Sequence, residues 1–378
     1  MTSTRPSSLR NRPVTIIGAG VAGLTAATAL AQRGAQVTVL EQADALREVG
    51  AGLQISPNAG RVLAALGLAE AADAVSLRSN GVRMHSAAGR RLVQLDLPAR
   101  QPDAPFRLFH RARLVEMLEQ AARDAGAQIR LNTPVEELPT APLLIGADGL
   151  RSMVRAALNG PARPFYTGQT AWRMLIPDDG TAPWADLFMG PGRHLVSYPL
   201  TGGLRNIIAV LARPHWKSEG WSYADSPANL RRAFAGFGGP VPGWLAQVQE
   251  TGVWGLFRHD VARRWHDDSR VIIGDAAHPT LPFMAQGAAM AIEDAWQLAA
   301  CLDADADQPA ALARFQSLRQ DRCTRIVAAA SRNATAYHLQ GPAALAARIG
   351  LRGIGRFAPD RLAGQFDWIY GYDPCAVA

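Results

Sequence analysis

One segment near the amino end constrains this chain more than any other. Val14-Thr15-Ile16-Ile17 is an apolar run of the kind buried on both faces of a parallel sheet. It runs straight into Gly18-Ala19-Gly20-Val21-Ala22-Gly23. Val21 to Arg33 then reads as an Ala- and Leu-rich helix closed by Gly34, and a second strand, Gln36 to Leu40, ends at Glu41. The three glycines Gly18, Gly20 and Gly23 divide the work: a tight turn, room for a pyrophosphate, and close helix–strand packing. Glu41 lies 23 positions after Gly18, near the spacing at which an acid accepts ribose hydroxyls. The helix N-terminus would face phosphates with free N–H groups and the positive end of its dipole. A second match, Gly353-Ile354-Gly355-Arg356-Phe357-Ala358, has no apolar strand before it and too little chain after it for a βαβ unit, so it is set aside.

Further along, Leu53 to Leu68 reads as a short extended piece, a Pro-Asn start signal and a helix stopped at Gly67. Short strands alternate from Val82 to Leu97, and Arg111 to Ala125 is an amphipathic helix closed by Gly126. Leu143 to Gly149 is a second buried strand ending in an Asp148-Gly149 turn. From Thr170 to Leu211, strand-like runs separated by Pro-Gly and Thr-Gly-Gly turns indicate an antiparallel sheet. Val271 to Asp275 returns to a buried strand with Gly274 at its end, and Gln286 to Leu302 is a long helix. Further helices are expected near Pro309 to Leu339 and Ala343 to Phe357.

Composition narrows the class. With 378 residues, 48% apolar and 19% charged, the chain has the make-up of a globular enzyme and no run long enough to span a membrane. Met1 to Pro13 is polar and lacks the apolar core of a secretory signal, so the cytoplasm is expected. Three dispersed cysteines, Cys301, Cys323 and Cys375, argue against a disulfide framework and against a metal site. The net charge of +7 is almost all scattered arginine, which argues against a nucleic-acid face. Lys217 is the only lysine, so a GKS/T phosphate loop is impossible, and any Schiff-base or halogenase-type lysine would have to be that one residue.

Five segments in order resemble the single-component FAD-dependent aromatic hydroxylases, the family of para-hydroxybenzoate and salicylate hydroxylases. They are the glycine motif with Glu41; Leu46-Arg47-Glu48-Val49-Gly50-Ala51-Gly52; Phe109-His110-Arg111; Leu144 to Arg155, containing Asp148-Gly149; and Ile273-Gly274-Asp275-Ala276-Ala277-His278-Pro279 followed by Met284-Ala285-Gln286-Gly287-Ala288-Ala289. The resemblance implies bound FAD. It places Arg47 near the adenosine half and Arg111 near the flavin, and gives the Asp148-Gly149 segment a part in binding both FAD and NAD(P)H. Arg113 stands where the family usually carries an acid. On physical grounds Asp275, ending a buried strand, is placed to accept a ribityl hydroxyl. The helix beginning at Gly287 and Ala288 would aim its N-terminus at the pyrimidine end of the flavin. Plainer readings stand beside these: an ordinary Asp-Gly turn at 148–149, a helix cap at Asp275, and a structural hydrogen-bonding role for His278.

The expected fold is therefore α/β: a Rossmann-like FAD-binding domain (12–80, 101–165, 256–340), an inserted antiparallel substrate sheet (81–100, 166–255) and a C-terminal helical tail (341–378). The expected activity is hydroxylation of an aromatic small molecule, phenolic or N-heteroaromatic, through a flavin C4a-hydroperoxide. NADH or NADPH and O₂ are co-substrates. With one credible dinucleotide fold, NAD(P)H must visit transiently. Tyr198, Gln286 and Pro279 are the candidates for the flavin–substrate cavity. His194, Val196 and Tyr198 share one strand face, and Tyr198 either orients the substrate or only packs. Three alternatives remain: a flavin oxidase or epoxidase acting on a non-aromatic substrate, a low-turnover redox sensor, and a quinone-pathway hydroxylase at a membrane surface. The last is motivated by Arg348, Arg352, Arg356 and Arg361 flanking apolar residues, although a packing helix is the favoured reading of that segment. A monomer or homodimer is expected.

Overall fold

The apolar run at the amino end becomes the central strand, Pro13–Ile17, of a five-stranded parallel sheet. The computed structural model describes residues 7–46, 52–178, 180–216 and 222–376. On one side of the central strand lie Gln36–Leu40 and then Gln128–Arg130; on the other lie Leu144–Gly146 and then Arg270–Ile272. Register explains why the sequence motifs meet. Ile17 pairs with Gly146, and Gly146 with Ile272, so the chain leaves three adjacent strands at the same edge of the sheet. In a parallel sheet this carboxyl edge is where ligands bind.

The first helix, Val21–Ala31, contains no charged residue and is buried from Ala22 onward. Its small side chains let it pack between helices Arg111–Asp124 and Gly287–Ala304. It ends two residues earlier than the sequence suggested. Gly34 (φ +91°) turns the chain, and the N–H of Ala35 reaches back to the carbonyl of Leu30. Space is tightest around Gly23, where a Cβ would stand 1.9 Å from the carbonyl oxygen of Gly18.

The second sheet has eight strands. Phe165–Pro177, Leu204–Ala212, Arg193–Leu200 and Trp184–Gly190 lie side by side and antiparallel. The sequence reading of a wholly antiparallel insert needs one correction: Gly81–Ser86 joins this sheet parallel to Trp184–Gly190. The two strands lie about a hundred residues apart, so no tight turn imposes opposite directions. A small antiparallel sheet of Gly52–Ile55, Arg107–His110 and Ser76–Arg78 bridges the two large ones. The rejected glycine motif lies inside helix Gly341–Phe357, where a Cβ on Gly355 would stand 2.8 Å from Val93.

Helices Gly287–Ala304 and Gln308–Tyr337 are joined by a buried ionic network. Arg319 pairs with Glu293 and Asp294, Arg322 with Glu293, and His278 with Asp294 at 2.5 Å. Burial opposes the His278 charge, but the Cys323 sulfur and the Asp294 carboxylate outweigh it and hold the imidazole protonated. His278 is thus an anchored ion-pair partner. His278, Asp294 and Cys323 also bring donor atoms within 4.8 Å of one another. The Arg319 guanidinium already donates to Asp294 (2.7 Å) and Cys323 (3.4 Å), supplying the positive charge a metal would bring. Arg319→Met should leave Glu293 and Asp294 short of a counter-charge and cost about 3–5 kcal/mol, read by denaturant unfolding. A loss under about 1 kcal/mol would show that the network is not structural.

Candidate active site

A cavity of about 800 Å³ lies between the carboxyl edge of the parallel sheet and one face of the eight-stranded sheet. Its size suits a cofactor with a small substrate. On the first side the wall is mostly backbone. Gly20, Val21 and Ala22 begin the first helix, Gly149 follows the second motif strand, and Gln286, Gly287 and Ala288 begin the long helix. Neither helix has a side chain capping its N-terminus, so the first-turn N–H groups are offered to the cavity. At Gly20 and Gly149 a Cβ would meet nothing within 4 Å, which leaves the wall open for a ligand to approach the backbone. Ala285 takes φ +52°, a left-handed conformation rare outside glycine, to turn the chain from the Pro282–Met284 segment into the helix.

Asp275 lies deep in the molecule, yet its carboxylate is open because it faces this cavity. Burial raises its pKa, against the opposing charges of His278 and Arg111. Arg111, first residue of its helix, also lines the cavity. Asp148 stands just behind the wall: Oδ2 accepts the N–H of Met153 at 2.8 Å, while Oδ1 is buried without a partner. Burial raises that carboxyl too. A buried orphan acceptor beside a cavity is the kind of group a ligand hydroxyl satisfies. Glu41 accepts the N–H groups of Ala19 (2.7 Å) and Ala43 (2.9 Å), and a carboxylate has lone pairs for further donors besides these two.

The opposite side is the sheet. Arg173, Ile208, Val196, Leu187 and Met84 form one row across five strands, and all line the cavity. Tyr198 and His194, two residues either side of Val196, point the same way, as strand alternation requires. Tyr198 is fully buried against Gly52, where a Cβ would stand 2.7 Å from its hydroxyl; burial raises the phenol pKa, with Arg173 opposing. His194 Nδ1 lies 2.7 Å from His338 Nε2. Burial, and then the neighbouring His338, holds His194 well below the usual histidine value, and burial lowers His338 to about 4. Both rings are neutral at pH 7.

The candidate site residues Gly20, Arg111, Gly149, Tyr198, Asp275, Gln286, Gly287 and Ala288 therefore share one cavity, together with His194 and Val196 of the Tyr198 strand face. Gly18, Gly23, Glu41, Asp148, Gly274 and Pro279 do not line it. Gly18 and Gly274 are tight packing points, where a Cβ would meet the Ala147 carbonyl oxygen at 2.5 Å and the Ala22 Cβ at 2.9 Å respectively. Pro279 is buried behind the wall. Arg47 falls outside the described residues. The Gln286 side chain is tied down: its amide donates to Ser56 (2.8 Å) and accepts from Asn58 (3.1 Å), and Asn58 bonds Glu293 of the ionic network. Sequence reasoning missed Ser56, Asn58, Arg173 and His338. Only Arg173 left a signal, a charge at an inward position of the apolar run Ala171 to Ile176.

Comparison with known proteins identifies the family. A family described as an FAD binding domain matches residues 11–141 and 138–330. A 3-amino-4-hydroxybenzoate 2-monooxygenase of Streptomyces platensis is 34% identical over 394 residues, covering 97% of this chain and 98% of the relative. A 3-hydroxybenzoate 6-hydroxylase of Klebsiella oxytoca is 30% identical over 393 residues, with 96% and 98% covered. The solved structure of a salicylate hydroxylase substrate complex superposes with a TM-score of 0.82 at 22% identity, covering 98% of both chains. Asp275→Ala should weaken FAD retention by about 1–3 kcal/mol, roughly ten- to a hundredfold, measured by flavin release on dialysis. Unchanged retention would remove Asp275 from the cofactor site.

Proposed function

The chain belongs to the FAD-binding family, and from that premise we propose that it is an FAD-dependent monooxygenase that hydroxylates an activated aromatic ring, using NAD(P)H and O₂. The observation that carries this reading is one cavity that joins two uncapped helix N-termini to a largely apolar sheet face. The donor set fits FAD. N–H groups at Gly20 to Ala22 suit the pyrophosphate, Glu41 the ribose, and the Asp148 and Asp275 carboxylates the hydroxyls of the linker. The first turn of the long helix, free of side chains at Gly287, suits the electron-rich edge of a flat ring. When bound, FAD accepts a hydride and transfers oxygen.

The protein's own residues would bind, orient and desolvate the substrate. Met84, Leu187, Val196 and Ile208 offer an apolar plane to a ring, while Arg173 suits a carboxylate and Tyr198 and His194 suit a ring hydroxyl. The relatives named above act on ring acids bearing hydroxyl or amino groups. A phenolic proton accepted by His194 has a route to His338, which is only partly buried. Gln286, held by Ser56 and Asn58, positions the turn that begins the long helix.

A second cavity, of about 670 Å³, lies beside the same Gly149 turn and is lined by Arg151, Arg163, Trp216 and His259. Its cationic and aromatic lining supports a transient NAD(P)H site, and Arg163→Ala should raise KM for NAD(P)H about three- to tenfold with kcat retained. Unaltered KM would move the site elsewhere.

Phenolic and N-heteroaromatic acids should be screened for stimulated NAD(P)H oxidation, with products identified by mass. A hydroxylated product supports this reading. Oxidation without oxygen insertion indicates an oxidase, an epoxide indicates an epoxidase, and flavin reduction without turnover indicates a redox sensor. Tyr198→Phe should keep FAD but divert a larger share of NAD(P)H oxidation to H₂O₂, because the ring is held less well for attack. Wild-type product yield per NAD(P)H would mean that Tyr198 does not orient the substrate.

A further inference from the structure

Helix Gly341–Phe357 carries two different faces. Its inner face, with Ala347, Gly350, Leu351 and Ile354, lines the mouth of the large cavity, and Gly355 lies tight against Val93. Its outer face bears Leu345, Ile349 and, near the end, Phe357, which are 58%, 64% and 82% exposed. Arg348, Arg352 and Arg356 are interleaved with them and exposed as well. No acidic residue occurs between 341 and 357. Arg348 reaches back to the carbonyl of Ala344 at 3.0 Å, and the Arg356 guanidinium lies 5.7 Å from the Phe357 ring.

A helix face facing only water is normally polar, with acids and bases interspersed. This one combines exposed large apolar side chains with arginines alone, the composition of a helix that lies in a lipid headgroup layer. We infer that the outer face of helix Gly341–Phe357 docks the protein on an anionic phospholipid surface, with the cavity mouth turned toward the lipid. The arginines complement lipid phosphates, and the three apolar side chains enter the acyl boundary. A second copy of the chain is a poorer partner. A two-fold contact would set this face against itself, arginine against arginine. No helix among the described residues is long and apolar enough to cross a membrane, so the association is peripheral. Docking would let a lipid-dissolved aromatic compound reach the cavity beside Gly350 and Ile354 without passing through bulk water. Docking itself is independent of the hydroxylase reading, and only the delivery of an aromatic compound to the cavity rests on it.

The test is sedimentation of the full chain with vesicles of phosphatidylcholine alone or mixed with phosphatidylglycerol. The bound fraction at limiting lipid should be about tenfold greater on the anionic vesicles and should fall as salt is raised. Ile349→Glu combined with Phe357→Glu should lower binding to the anionic vesicles about tenfold while keeping the same thermal midpoint. Arg352→Ser with Arg356→Ser should lower it and weaken its salt dependence. Three results would overturn the inference: no wild-type binding to anionic vesicles, equal binding by the Glu variant, or a wild-type dimer in solution that the Glu variant splits.

Discussion

Two adjacent carboxylates, Glu293 and Asp294, sit with no exposed side-chain surface in the middle of the long helix, and the rest of the molecule is arranged to keep them charged. Burial alone would protonate them. Arg319 opposes this for both, with Arg322 acting on Glu293 and His278 on Asp294, and both pKa values fall. Each partner brings a separate piece of chain with it. Arg319 and Arg322 fix the 308–337 helix, and Arg322 also donates to the carbonyls of Trp368 and Ile369 near the carboxyl end. His278 fixes the segment after the third motif strand. Through Asn58 the network reaches Ser56 and Gln286 at the cavity. Such a network costs more in desolvation than an apolar core would. What it provides is geometry: the long helix cannot rotate or slide without stranding a charge.

That fixed helix meets a second constraint, the register of the parallel sheet. Ile17, Gly146 and Ile272 end side by side, so turns from three distant parts of the chain emerge at one edge. Gly18 and Gly23 let backbones approach within distances that a Cβ would forbid, and Gly274 does the same for the Ala22 methyl. Gly20 and Gly149 instead leave the wall open. The same residue type thus serves tight packing behind the wall and access along it.

The cavity is completed from a different direction. The eight-stranded sheet turns an apolar row toward the cavity, broken by Arg173, with His194 and Tyr198 in the adjoining rows. The backbone-rich side suits a cofactor that binds through phosphates and hydroxyls. The sheet side suits a flat ring with one or two polar substituents. Helix Gly341–Phe357 lines the mouth with Ala347, Gly350, Leu351 and Ile354 on its inner face.

Local chemistry was legible in the chain. The strand before Gly18, the helix after it, Glu41 ending the second strand, and the inward alternation of His194, Val196 and Tyr198 depend on near neighbours and on periods of 3.6 and 2. The same local logic separates the glycine motif at 353–358, which no apolar strand precedes. Relations between segments were not legible, because they depend on which surfaces meet. The parallel pairing of Gly81–Ser86 with Trp184–Gly190, the contact of His194 with His338, and the chain of bonds from Gln286 through Asn58 to Glu293 join residues about a hundred or more positions apart. No local pattern marks Asn58 as anything but part of a helix start, or Glu293 and Asp294 as anything but surface acids. Burial decides what those groups do, and burial is set only when the helices and sheets close on one another.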